Sequence, residues 1–222
     1  MTNSLTHALT GFALLALAVL PATGRATDTV AAAPAAAVRF VEIPATRETL
    51  EQLRAGGFAL YLRHGSTDNT RPDRVPAVDL NDCATQRPLT EAGRKQAASV
   101  GEAMRKARIP VSEIRISPLC RVKETAAAAL PGQPYTIDGN LVYTANLTSG
   151  QKAPIVANTR HLLSKPVDAG SNRLLIAHAP NLMDLIAYFP KEATLVVFRP
   201  KGDAGFDYVA SIPPGLWPEL LR

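Results

Sequence analysis

The chain has 222 residues, of which 46% are hydrophobic and 19% charged; this excludes a disordered chain and suits one domain with a substantial core. The net charge of +5 is scattered, and the densest basic stretch, Arg105-Lys106-Ala107-Arg108, closes a helical pattern where cations complement the helix dipole. That argues against nucleic acid as a partner and in favour of a small anionic ligand.

The first 38 residues read as lying outside the fold. Gly11 to Leu20 is an apolar run of ten, followed by small residues up to Ala26. Ten residues are too few to span a bilayer and fit a signal-peptide core, although no Lys or Arg precedes the run. The expected organisation is a signal peptide over 1–26, an Ala-rich linker over 27–38 and one domain over 39–222. The mature protein would then be secreted or periplasmic, without a stable membrane span. Its oligomeric state is left open. Cys83 and Cys120 could pair in an oxidising compartment or stand apart as core thiols. Neither they nor the four histidines show CxxC or HExxH spacing, so no metal and no cofactor is expected.

Within the domain, Thr46 to Ala55 reads as a helix capped by Thr46 and stopped by Gly56-Gly57. Phe58 to Leu62 is a short apolar run between glycines, hence a buried strand. A long polar loop follows, from Ser66 to Pro88; loops of that length are usually functional. Thr90 to Ala107 is a second helix with Ala97, Val100, Met104 and Ala107 on one face. Glu113 to Ile116 is a strand, Arg121 to Leu130 a helix, Tyr135 to Ile137 a short strand, and Gln151 to Leu163 a helix with Pro154 near its start. Arg173 to Ala177 is another buried strand. Asn181 to Tyr188 is a helix, and Thr194 to Arg199 with Asp207 to Ile212 form a hairpin. Alternating strands and helices predict an α/β fold of three layers, α/β/α, around a mainly parallel sheet.

Three of these strands end in chemistry-bearing residues. The first delivers Arg63 and His64, the second leads to Arg121, and the third delivers His178. Ligands of open α/β sheets bind beyond the carboxyl ends of the strands, so the four side chains should converge. Two guanidinium forks match phosphate oxygens, and phosphoryl transfer is catalysed mainly by positioning and charge stabilisation. A neutral imidazole can act as nucleophile if its other nitrogen is held, and the Gly65 carbonyl is the expected holder.

The ordered segments Leu62-Arg63-His64-Gly65, Arg87-Pro88-Leu89-Thr90-Glu91-Ala92-Gly93 through Gln96-Ala97, Ser117-Pro118-Leu119-Cys120-Arg121 through Glu124-Thr125-Ala126, and Ile176-Ala177-His178 resemble the signatures of the histidine phosphatase, phosphoglycerate mutase-like superfamily. The resemblance runs from about Thr46 to Ile212. It implies that His64 becomes phosphorylated, that Arg63, Arg121 and His178 complete the phosphate pocket, and that Thr67 contacts the phosphate. The implied substrate is a small phosphorylated molecule; exported bacterial members, some acting on phosphorylated core sugars of lipopolysaccharide, look most similar. The chain departs from the family pattern at Thr70, where an Asn is common, and at Ala179, where one branch carries Asp. No glutamate loop of the mutase kind is recognisable. Asp68, Asp79 and Asp82 could supply the missing acid, with Asp82 the first choice. A phosphomutase or phosphotransferase, and a non-catalytic phosphate-binding protein, are the alternative readings.

Overall fold

The computed structural model describes residues 39–74 and 78–222. The leader and linker expected over 1–38 lie outside them. Among the described residues no helix is long and apolar enough to cross a membrane.

The elements follow the apolar pattern closely. Helix α1 (Arg47–Ala55) starts at a capping box between Thr46 and Thr49 and feeds β1 (Ala59–Arg63). After the long loop come α2 (Glu91–Lys106), β2 (Val111–Ile116), α3 (Cys120–Ala129) and the two-residue β3 (Thr136–Ile137). Helix α4 (Ser149–Ser164) opens on a second capping box, Thr148 with Gln151. Strand β4 (Asn172–Ala177), α5 (Ala179–Ile186), the hairpin β5 (Leu195–Pro200) and β6 (Phe206–Ile212), and a short α6 (Trp217–Leu220) complete the chain. The last of these was not legible in the apolar pattern, because a single turn beginning Trp217-Pro218 is too short to show a helical period.

The six strands lie in the order β3-β2-β4-β1-β5-β6. The first four are mutually parallel, and the hairpin adds β5 antiparallel to β1 and β6 antiparallel to β5. Alternate residues of the central strands face opposite cores. Leu60, Leu62, Leu174, Ile176, Leu195 and Val197 pack with α1, α2, α3 and α6, whereas Tyr61, Leu175, Ala177, Val196 and Phe198 pack with α4 and α5. The sheet is therefore buried on both sides, as the unbroken apolar runs require, and the three-layer α/β/α expectation holds.

This architecture fixes the direction of the strands that matter. Strands β1 and β2 run parallel to β4, so all three end at the same edge. The chain stays in register just past that edge: the His64 amide donates to the Ala177 carbonyl at 3.1 Å, and the Ser117 amide to the Ile176 carbonyl at 3.0 Å.

Candidate active site

His64 and His178 leave the sheet side by side, with ring centroids 5.2 Å apart and planes at 65°. The tautomer of His64 follows from its partner. His64 Nδ1 lies 2.7 Å from the Gly65 carbonyl oxygen, which can only accept, so Nδ1 carries the proton and Nε2 holds the lone pair. The Gly65 amide in turn donates to the Thr125 hydroxyl at 3.2 Å, and that hydroxyl donates to the Arg121 carbonyl at 2.8 Å. The peptide that fixes the His64 tautomer is thus pinned to the helix carrying Arg121. His178 Nε2 lies 2.8 Å from Ser117 Oγ, which also accepts from the Leu119 amide. His178 Nδ1 is buried and has no hydrogen-bond partner. Tyr61 steadies this residue from below: its hydroxyl donates to the His178 carbonyl at 2.8 Å and accepts from the His178 amide at 3.1 Å.

Burial first, and then the Arg121 charge, hold both imidazoles well below the ordinary histidine range. Both rings are therefore neutral near pH 7. His64 is almost wholly enclosed, with the His178 ring beside it and the charges of Arg121, Arg63 and Arg87 acting on it.

Three guanidinium groups surround the rings. Arg121 is fully buried; Nη1 meets Asp73 Oδ1 at 2.9 Å, while Nε and Nη2 have no partner. Arg63 donates from Nη1 to the Pro190 carbonyl and from Nη2 to Glu192, leaving Nε unpaired. Arg87 donates from Nη1 to Asn69 and also leaves Nε unpaired. The Tyr143 ring bridges the group, with the Arg121 Cζ 5.2 Å and the Arg87 Cζ 5.9 Å from its centroid and the His178 ring 5.5 Å away. Burial lowers the proton affinity of Arg63 and Arg121, opposed by Glu192 and Asp73 respectively, and both remain cations at neutral pH. A cavity of about 340 Å³, lined by Asn69, Pro72, Asp73, Arg87, Tyr143 and Asn146, opens onto this cluster.

The structure brings Arg63, His64, Arg121 and His178 together at the sheet edge. Thr67 is buried on the adjoining loop, where its backbone bridges Leu89, and its hydroxyl makes no hydrogen bond with a described residue. Asp82, the first choice of acid, is exposed and caps a 3-10 turn over Cys83–Thr85 by accepting from the Ala84 amide. Asp68 accepts from Thr70, and Asp79 from the Asn81 amide. All three serve turns of the loop, which is what short carboxylates do there. The sequence reading missed Arg87, Asp73 and Tyr143. Arg87 stood in the quoted Arg87-Pro88-Leu89-Thr90 segment, and Asp73 in the long loop. Nothing local marks Tyr143.

The other quoted positions prove to be scaffold. A Cβ at Gly93 would collide with the Ser66 carbonyl, and one at Gly65 with the Gly93 carbonyl, so the loop after His64 lies backbone to backbone on the first turn of α2. Gln96 accepts from the Ser66 amide, and Thr90 caps α2 while its hydroxyl lies 3.0 Å from Ser66 Oγ. Glu124 pairs with Arg94 at 2.7 Å, joining α3 to α2.

Residues 60–142 match the family model described as histidine phosphatase superfamily (branch 1), a span that holds Arg63, His64, Arg87 and Arg121. Over that span the chain is similar to the histidine phosphatase superfamily. Among solved structures, the open reading frame Rv3214 from Mycobacterium tuberculosis matches this chain with a TM-score of 0.50 at 16% identity, over 69% of this chain and 95% of its own. The protein histidine phosphatase SixA, solved with tungstate, matches with a TM-score of 0.48 at 16% identity, over 71% and 97%. The first of these likenesses shows a shared fold. No curated protein matches the sequence.

Proposed function

We propose that this protein hydrolyses a small phosphomonoester through a phosphohistidine on His64, with no metal ion in the reaction. The observation that carries the reading is a set of buried nitrogens without partners: Arg63 Nε, Arg87 Nε, Arg121 Nε and Nη2, and His178 Nδ1. Leaving a buried donor unpaired costs about 1–3 kcal/mol, and more for a charged group, so five such atoms around two neutral imidazoles imply an absent anion.

In this reading the phosphoryl oxygens accept from the arginines and from His178 Nδ1–H, and His64 Nε2 attacks phosphorus as the ester bond breaks. The guanidinium groups stabilise charge on the equatorial oxygens. Water then cleaves the phosphorus–nitrogen bond, releasing phosphate and returning His64 to its neutral form. Thr67, three residues after the nucleophile in the chain, would help line the phosphate subsite.

The location follows as part of the same proposal. Cys83 and Cys120 are joined as a disulfide, which supports an oxidising compartment and the secreted or periplasmic reading of the N-terminal segment. An envelope sugar phosphate would then be within reach as substrate.

The test is hydrolysis of an aryl phosphate in EDTA. Activity should persist, and His64→Ala should lose at least about a thousandfold in kcat. Brief exposure to a labelled substrate should trap an acid-labile phosphoenzyme in the native protein and none in the variant. Hydrolysis that returns only on adding a divalent cation would defeat the proposal.

A further inference from the structure

An alkoxide leaving group needs a proton, and both imidazoles are neutral and already engaged, His64 Nδ1 by the Gly65 carbonyl and His178 Nε2 by Ser117. Two carboxylates touch the arginines. Glu192 meets Arg63 at 3.0 Å from the rim, with 38% of its side chain exposed. Asp73 meets Arg121 at 2.9 Å from inside, with 7% exposed.

Asp73 is placed differently in one further respect. Its two hydrogen bonds, from Arg121 Nη1 and from the Arg87 amide, both fall on Oδ1. Oδ2 has no hydrogen-bond partner among the described residues. The same side chain lines the cavity beside Arg87 and a second one of about 290 Å³, whose walls include Leu119, Val142 and Leu147. Asp73 therefore stands between the groups that bind an anion and the room in which the alcohol half of an ester would lie.

We propose that Asp73 is the proton donor to the leaving group, held in reserve by Arg121 until a phosphoryl group displaces it; this rests on the phosphatase reading above. Without an ester, Oδ1 is engaged by Arg121 Nη1 and the Arg87 amide. An incoming phosphate has the unpaired Nε and Nη2 of Arg121 to bind and competes with Oδ1 for Nη1. Asp73 enters the reaction as the acid, carrying a proton taken from solvent. As the phosphorus–Nε2 bond to His64 forms and the ester bond breaks, the Asp73 proton passes to the departing oxygen. The carboxylate so produced removes a proton from the water that attacks phosphorus while the phosphorus–nitrogen bond breaks. Ester and water give alcohol and phosphate, and Asp73 gives its proton back to solvent and returns to Arg121 when phosphate leaves.

Asp73→Asn tests this, since the amide keeps an Oδ1 acceptor for Arg121 and the Arg87 amide but has no acidic proton. With p-nitrophenyl phosphate, whose leaving group departs unprotonated, kcat/KM, which reports only the phosphorylation of His64, should fall by less than about tenfold. With glycerol 2-phosphate it should fall by about a hundredfold or more, the usual share of general acid catalysis. Inorganic phosphate, measured by calorimetry, should bind the variant more tightly, because a competing anion is gone; this also shows that the pocket has folded. Equal losses on the two substrates, weaker phosphate binding, or the leaving-group dependence appearing in Glu192→Gln instead would each overturn the assignment. If the native protein turns over neither substrate, the phosphatase reading itself has failed.

Discussion

At the scale of single residues, the site is defined by charge that the fold leaves uncompensated. Three buried or half-buried arginines meet two carboxylates, Asp73 and Glu192, among the described residues. The excess cation depresses both histidines, which sets a pH signature. Because burial and Arg121 hold His64 and His178 well below about 6.5, kcat/KM, which reports the free enzyme, should show no acid limb at that pH. Lowering the pH from 7.5 to 6 in a pH–rate profile should not reduce kcat/KM. Stability behaves oppositely: the unfolded chain takes up protons near pH 6.5 while the folded one does not, so stability falls as pH falls below that value and is recovered above it. A series of melts from pH 7.5 to 5 checks the sign. Tyr61→Phe should act on both fronts. It strips the His178 carbonyl and amide of their shared partner, costing about 1–3 kcal/mol in denaturant unfolding and lowering kcat through a misplaced ring. Much of this scale was legible beforehand. Arg63, His64, Arg121 and His178 each follow a strand end, and the Gly65 carbonyl is the local holder for His64. Asp73, Arg87 and Tyr143 were not, because they reach the cluster through tertiary contacts that no period or strand end announces.

At the scale of elements, the helices do more than cover the sheet. Helix α2 carries none of the pocket's imidazoles or guanidinium groups, yet its first turn determines where His64 sits. The Gly93 backbone lies against Ser66, and Gln96 and Thr90 bond to the same residue. Gly93→Ala cannot be accommodated by a rotamer change, since the atoms in the way are backbone. It should destabilise the protein by about 2 kcal/mol or more and lower kcat further than the fraction unfolded explains, measured by unfolding and assay on the same sample. By contrast, Arg94 and Glu124 are each partly exposed, so breaking their pair in Arg94→Ala should cost only about 0–1 kcal/mol. The elements themselves were readable because the apolar runs are short, bounded by Gly or Pro, and unbroken where both faces of a strand are buried. Their ends moved by a residue or two. The one-turn α6 escaped because it has no period to detect.

For the molecule as a whole, the question is what keeps the long loop over the sheet edge, since this loop supplies Asn69, Asp73 and Arg87 while having little secondary structure of its own. Part of the answer is polar. Gln86 is buried, accepting from the Cys120 amide at 2.7 Å and donating to the Asp79 carbonyl at 2.9 Å, and Asp73 accepts from the Arg87 amide at 2.8 Å. The rest is covalent: the Cys83–Cys120 disulfide ties the loop to the first residue of α3, immediately before Arg121. Its two ends are 37 positions apart. A closure of that length restricts the unfolded chain by about 3–4 kcal/mol in the entropy model. Reduction should therefore lower the melting temperature markedly. It should also raise KM more than it lowers kcat under conditions where the protein remains folded. Arg63, His64 and His178 stay on the sheet, whereas the loop residues that admit and hold the anion lose their anchor beside Arg121. Assays on oxidised and reduced protein, with a Cys83→Ser/Cys120→Ser double variant to exclude effects of the reductant, distinguish this from simple unfolding. In that case kcat would fall with the folded fraction and KM would not move.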